Sequence, residues 1–256
     1  MMSQEEKMGI YIFCGIQTDS DDDLGEIEIE GEKCDLFTIR YKDAGMVATR
    51  APMKIYHPNK ENLMMHQNAV SLVMKQKDTV IPVSFGNVFQ STEDVAVLLE
   101  NLYPQFTKLF PEIKGKIEVG LKVIGKKGWL ESQVRENAEL DQMAQKVKGK
   151  SEAASYYERI KIGGAAQEFM NSLQKEVKEE IFTPLNEGAE AAKANDPIGE
   201  TMLLNASFLI DRDKEEEFDQ MVNAVHEHWK DKVEFNYTGP WPAYNFVNIR
   251  LKVEES

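Results

Sequence analysis

The chain has 256 residues, 42% of them hydrophobic, and a formal net charge of −14 with a pI near 4.9, which is enough sequence for one large or two ordinary domains with real cores. An acidic surface gains no counterion release from a polyphosphate backbone or from anionic lipid, so nucleic acid and membrane are excluded as partners. Two cysteines, Cys14 and Cys34, are too few for a disulfide framework, no apolar run approaches the roughly 20 residues of a membrane span, and Met1 to Lys7 is polar with no apolar core behind it, so a cytoplasmic protein is expected.

Gly9 to Ile16 (GIYIFCGI) is a β-rich apolar run, and Cys34 to Arg40 and the region of Ala48 are expected strands around a turn at Lys42 to Gly45. The acidic connector Thr18 to Glu32 lies between them. Asn59 offers an N-cap to a helix reaching about Lys77, with Leu63, His66, Val70, Val73 and Met74 on one face. Thr79 to Val83 is a short strand. Ser91 begins a second helix, with Asp94 as a capping-box analogue and Val95, Leu98, Leu99, Leu102 and Phe106 as its apolar stripe. Pro104 should kink that helix or split it into two shorter ones ending near Phe110. Pro111 to Gly115 reads as a boundary, giving domains 1–112 and 113–256.

The second half opens on a strand, Lys116 to Ile124. Ser151 to about Ala194 is read as mostly helical, with Tyr157, Ile160, Gly164, Leu173, Val177, Ile181 and Leu185 along one side and Pro184 as a dividing point. Thr201 to Ile210 is a strand, Asp213 caps a helix with the stripe Phe218, Met221, Val222, Val225 and Trp229, and Lys232 to Tyr237 is another strand. Asn245 to Val253 is expected to close the sheet. Strands and helices alternate without a long parallel βαβ series, so the expected fold class is α+β, with two domains of modified ferredoxin-like character and a long helical segment in the C-terminal one. The sequons at Asn205 and Asn236 fall in expected strands and are chance matches.

Few motifs carry chemistry. Gly120 to Lys127 matches G-x-x-x-x-G-K, but Lys127 stands where magnesium needs Ser or Thr, and Leu121, Val123 and Ile124 favour a strand over a phosphate loop. Asp19, Asp21, Asp23 and Glu30 fit positions 1, 3, 5 and 12 of a calcium loop, yet Leu24 replaces the turn glycine and Ile27 to Ile29 predicts a strand. His226 and His228, two apart on a helix, point about 200° from each other and cannot share one ion. His66 reads as a hydrogen-bonded core histidine and His57 as a loop residue. The cysteines lack C-x-x-C spacing, and no serine elbow or acid–base carboxylate pair stands out. No metal, no cofactor and no catalytic residue is expected.

The densest signal is Tyr237-Thr238-Gly239-Pro240-Trp241-Pro242-Ala243-Tyr244-Asn245-Phe246, which packs two prolines, a glycine and four aromatics between two expected strands. The prolines fix φ and remove donors, so the connector should be stiff and should not continue a sheet ladder. Its aromatics, Tyr237, Trp241, Tyr244 and Phe246, with Pro240, either cap a core or anchor a partner, and both can hold together.

That peptide resembles a hallmark of the gas vesicle protein F/L family, and other blocks do too: Ile81-Pro82-Val83-Ser84-Phe85-Gly86, Val119-Gly120-Leu121-Lys122-Val123, and Gly149-Lys150-Ser151 leading to Tyr156-Tyr157. The chain as a whole is similar to F-type members of bacillus-like clusters. Ser84 stands where many members carry Arg, and Ala243 where many carry a second proline. The resemblance implies a two-domain accessory protein, a minor gas vesicle component without cofactor, that binds the small hydrophobic shell protein and other accessory proteins. The expected role is to hold shell subunits against aggregation and support nucleation, with Tyr237, Pro240, Trp241, Tyr244 and Phe246 as the partner-binding residues. The alternatives are a small-ligand-binding or enzymatic ferredoxin-like protein, and a calcium-responsive regulator.

Overall fold

The structure is a computed structural model that describes residues 7–21, 23–148 and 155–249. The chain packs as two compact units: Met1–Glu118 with Pro240–Ser256, and Val119–Gly239. This division differs from the expected domains 1–112 and 113–256 in returning the C-terminal segment to the first unit.

In the first unit, β1 (Met8–Gln17) lies at the centre of an antiparallel sheet ordered β4-β5-β1-β6, where β4 is Phe37–Tyr41, β5 is Ala44–Pro52 and β6 is Val80–Pro82; β7 (Val88–Phe89) also pairs with β1. Eight consecutive residues of β1 are buried, which is why it reads as an unbroken apolar run rather than an alternating one. A separate hairpin joins β2 (Glu26–Ile29) to β3 (Glu32–Asp35). Its two-residue loop, Glu30 and Gly31, has positive φ at both positions (55° and 84°), the conformation of a type I′ turn that matches the twist of paired strands. The expected strand 34–40 is thus split between β3 and β4 at the buried Leu36.

Two helices complete this unit. The first, α1 (Lys60–Met74), is capped by Asn59, whose side chain accepts from the Asn62 amide at 2.9 Å. Leu63, expected on its apolar face, is exposed, because the buried stripe runs through Met65, His66, Ala69, Val70, Val73 and Met74. The second, α2 (Thr92–Ile113), starts at a full capping box: the Asp94 amide donates to Ser91 Oγ (3.2 Å) and the Ser91 amide to Asp94 Oδ2 (3.1 Å). Pro104 and Pro111 lie inside it and neither ends it, so of the expected alternatives at Pro104 the split into two helices does not occur. An interior proline costs about 3 kcal/mol, whereas each of the buried side chains Val95, Leu99, Leu102, Phe106, Phe110 and Ile113 contributes roughly 1.5–3 kcal/mol. The Phe106 ring occupies the space a side chain on Gly15 would fill, so this glycine is what lets α2 approach β1.

The second unit is built on a sheet ordered β11-β8-β10-β9, with β8 Lys116–Gly125, β9 Ala191–Asn195, β10 Met202–Asp211 and β11 Val233–Trp241. Between β8 and β9 run α3 (Lys127–Glu136), α4 (Ala138–Val147), α5 (Tyr156–Val177), a π-helical turn (Lys178–Phe182) and α6 (Thr183–Glu187); α7 (Glu215–Trp229) joins β10 to β11. The expected helix to Ala194 stops at Glu187. Ala191–Asn195 instead pairs antiparallel with Asn205–Leu209, since a free strand edge overrides the helix propensity of the alanines. Pro184 lies in continuously helical backbone just after the widened π turn, Phe182 and Thr183 both having helical dihedrals, so it does not divide the helical segment. Leu173, Val177, Ile181 and Leu185 are buried, but Tyr157 and Ile160 are exposed. The Gly149 to Ser151 entry to this helix lies outside the described residues. Asp213 falls in a 3₁₀ turn, Arg212–Lys214, and α7 begins without a side-chain cap.

Two expectations for the C-terminus are corrected. Strand β11 continues through Gly239 and Pro240 to Trp241; it lies at the sheet edge, where a proline need not donate. No strand forms over 245–249, where 244–246 is a turn; the rest of the expected strand, 250–253, lies outside the described residues.

Candidate interaction surfaces

The residues of the aromatic peptide separate into two environments. Tyr237, in the second unit, donates from its hydroxyl to Asp219 Oδ1 at 2.8 Å; burial first, and then that bond and the Asp219 charge, push its phenol up beyond the ordinary tyrosine range. It is an anchor tying β11 to α7. Pro240, Trp241, Tyr244 and Phe246 belong to the first unit. Pro240 is exposed, Trp241 and Phe246 are half-buried, and Pro242 and Ala243 are buried. Gly239 takes a φ of 137°, a conformation that favours glycine.

Beyond Trp241 the chain folds on itself. The Tyr244 amide donates to the Pro242 carbonyl (2.6 Å), and the Phe246 and Val247 amides donate to the Ala243 carbonyl (3.1 and 3.0 Å). Glu118 fastens this turn: its Oε2 accepts from the Asn245 backbone amide (2.8 Å) and its Oε1 from Asn245 Nδ2 (2.6 Å). Glu118 is 4% exposed, so these charge-assisted bonds replace hydration that the carboxylate has lost. Tyr244 keeps 44% of its surface exposed, yet its hydroxyl end lies inward, and burial, reinforced by Cys14, Tyr11 and Glu118, pushes the phenol up to about 12. The clamp left no mark in the sequence, since its members are 127 positions apart.

A second surface lies along α1. Two adjoining hollows of about 350 and 600 Å³ share Glu28, Met65 and Asn68 and are walled by the hairpin on one side and α1 on the other. Ile55, 81% exposed, and Met64, 48% exposed, stand at the larger one. Sequence periodicity did not single out either residue, because Ile55 lies in a loop and Met64 falls just off the buried stripe.

The remaining candidates settle into the framework. Gly120 to Ile124 is inside β8, so the phosphate-loop match is a strand. Leu24 is fully buried and Glu26–Ile29 is β2, which gives the Asp19 to Glu30 stretch the course of a connector and a hairpin; among the described residues no group of three or more His, Cys, Asp or Glu could hold a metal. His226 rests against Phe235, ring centroids 5.1 Å apart, and His228 Nδ1 lies 2.9 Å from the Ala224 carbonyl. His57 is exposed. Cys14 is buried and its thiol is pushed far up by desolvation; Cys34 is half-buried and raised by burial, then by Glu32 and Asp35. Both are poor nucleophiles in these settings.

His66 is buried among Tyr11, Phe13 and Phe85. The Gly86 amide donates to the Tyr11 hydroxyl (2.9 Å), which lies 3.1 Å from His66 Nδ1. With the Tyr11 hydroxyl donating onward to Nδ1, the proton of the neutral ring lies on Nε2. Desolvation lowers the imidazole to about 4, with the Val83 carbonyl pulling the other way.

Among the described residues no helix is long and apolar enough to cross a membrane. A family model described as gas vesicle synthesis protein GvpL/GvpF matches residues 9–248. The chain is 24% identical to gas vesicle protein F1 of Halobacterium salinarum over 234 residues, covering 90% of each chain. It is 27% identical to gas vesicle protein F of a Nostoc species over 218 residues, 84% of this chain and 86% of that one. The crystal structure of the gas vesicle protein GvpF from Anabaena sp. superposes with a TM-score of 0.79 at 22% identity, covering 95% of this chain and 99% of that one, which shows a shared fold.

Proposed function

Since this chain belongs to the GvpL/GvpF family of gas vesicle synthesis proteins, we propose that it is an assembly accessory and minor vesicle component that binds the small hydrophobic shell protein, limits its aggregation and supports nucleation of the vesicle. On this reading it works in the cytoplasm in association with gas vesicles, alongside other accessory proteins, and carries out no bond-making chemistry. Its second unit, with elements running β-α-β-β-α-β and the sheet order β11-β8-β10-β9, is a modified ferredoxin-like domain.

The observation that carries the reading is the C-terminal turn. A chain of charge −14 holds a partly apolar turn in place with a buried carboxylate clamp, leaving Tyr244 exposed at 44%. A protein that masks an apolar, self-associating subunit needs rigid apolar anchors within a soluble surface, and rigid aromatics lose little entropy on binding. Pro240, Trp241, Tyr244 and Phe246 supply such anchors; Tyr237, bonded to Asp219, is held within the second unit.

A pull-down with tagged full-length chain and shell protein tests this. Tyr244→Ala with Trp241→Ala is expected to cut shell-protein capture at least tenfold, as a loss of about 1.4 kcal/mol or more at a central anchor requires, with the circular dichroism spectrum unchanged. Undiminished capture by a folded double variant would move the site away from the turn.

A further inference from the structure

The hairpin β2–β3 is a two-stranded sheet, so β2 has one edge that no strand covers. In a hairpin closed by a two-residue loop the pair flanking the loop is hydrogen-bonded, and bonded and non-bonded pairs then alternate. Ile29 pairs with Glu32 next to the loop, Glu28 with Lys33, Ile27 with Cys34 and Glu26 with Asp35. The backbone amides and carbonyls of Glu26 and Glu28 therefore point away from β3.

That outer edge borders the channel along α1. The wall on the hairpin side is made by consecutive residues from Glu26 to Gly31, and the wall on the helix side by Glu61, Met64, Met65, Asn68, Leu72 and Lys75. Consecutive residues along one wall are the mark of a strand edge, since a strand face would contribute every second residue. Positions three and four apart on the other wall are one face of a helix. From Glu61 to Lys75 this face is about 21 Å long, the length of an extended segment of about six residues.

Charge specifies what such a segment carries. The side chains of Glu26 and Glu28 are on the exposed face of β2, and Ile27 and Ile29 are on the buried one. Lys33, directly opposite Glu28, turns instead to Glu26, with Nζ 3.0 Å from Oε2, and Glu30 is paired with Lys54. Glu28 is left with no cation among the described residues. A strand added at this edge would place alternate side chains beside Glu28, where a lysine or arginine forms a favourable cross-strand pair, and would turn its other side chains towards Met64, Met65 and Leu72.

We propose that the channel between the free edge of β2 and helix α1 takes up an extended, basic and apolar alternating segment of a partner polypeptide as a third strand of the hairpin. Backbone bonds to Glu26 and Glu28 would supply affinity, and the alternation would supply specificity. This surface is distinct from the C-terminal turn and stands whether or not that turn binds the shell protein.

The test uses the full-length protein and a capped seven-residue peptide of alternating lysine and valine, followed by amide chemical shifts. Saturable binding is expected, with shifts confined to 26–31, 54–57 and 61–75. The same peptide methylated on the backbone nitrogens of one edge should bind at least tenfold more weakly, because only a strand pairing needs those donors. Glu28→Lys should weaken binding at least tenfold, and Glu200→Lys, in an exposed loop, should leave it unchanged. No saturation by about 1 mM, equal binding of the methylated peptide, or equal loss in both charge variants would overturn the proposal, the last by showing attraction to net charge alone.

Discussion

Asn245→Ala is expected to destabilise the first unit by about 2–3 kcal/mol, because it removes a charge-assisted hydrogen bond from a carboxylate that is 4% exposed and leaves part of a buried anion unpaired. The Asn245 backbone amide would still donate to Oε2, so the loss stops short of an abandoned charge. Asn245→Asp should cost more, since it sets a second carboxylate against Glu118. Urea unfolding gives the magnitude, and amide exchange at Tyr244 to Val247 gives the location. Faster exchange there, ahead of the β1 amides, is the expected signature of a released turn. Unfolding midpoints equal to the parent for both variants would show that the clamp holds nothing.

The second large effect is acid sensitivity at His66. Its folded-state value of about 4 lies below the ordinary 6.5, so both states are neutral above pH 6.5 and the histidine then makes no difference to the pH slope. As pH falls from 6.5 towards 4 the unfolded chain takes up a proton that the folded chain refuses, and stability falls by up to about 3 kcal/mol before levelling off. His66→Gln keeps an acceptor for the Tyr11 hydroxyl and removes the titration. Between pH 6.5 and 5, above the range in which most carboxylates titrate, the variant should lose less stability than the parent. Parallel slopes over that interval would mean that the imidazole is more hydrated than its surroundings indicate.

Much of the fold was legible. β1 followed from an apolar run, the caps at Asn59 and Ser91 from their side chains, and the stripes of α2 and α7 from spacing, because each of these signals is local. The misreadings share a cause. Pro104 reads as a break until the side chains buried on both sides of it are counted, and Ala191 to Asn195 reads as helix until β10 offers it a ladder. The partner-binding candidates stand out by composition, and composition cannot show that Tyr237 is bonded to Asp219 while Tyr244 keeps only part of its surface exposed. Glu118 looked like one more surface acid, since nothing near it in the chain announces Asn245. The Met64 and Ile55 surface was hidden for the opposite reason: both residues look like ordinary core material, and only the fold leaves them uncovered.

Under the proposed function, this chain is a charged carrier whose apolar anchors would keep the shell protein from self-association. The direct measurement is the soluble fraction of shell protein in a reconstituted vesicle gene cluster with this chain present, deleted, or replaced by the Trp241→Ala, Tyr244→Ala variant. Deletion and double substitution should both send the shell protein to the pellet and abolish flotation. Soluble shell protein and normal vesicles in the deletion would contradict the account.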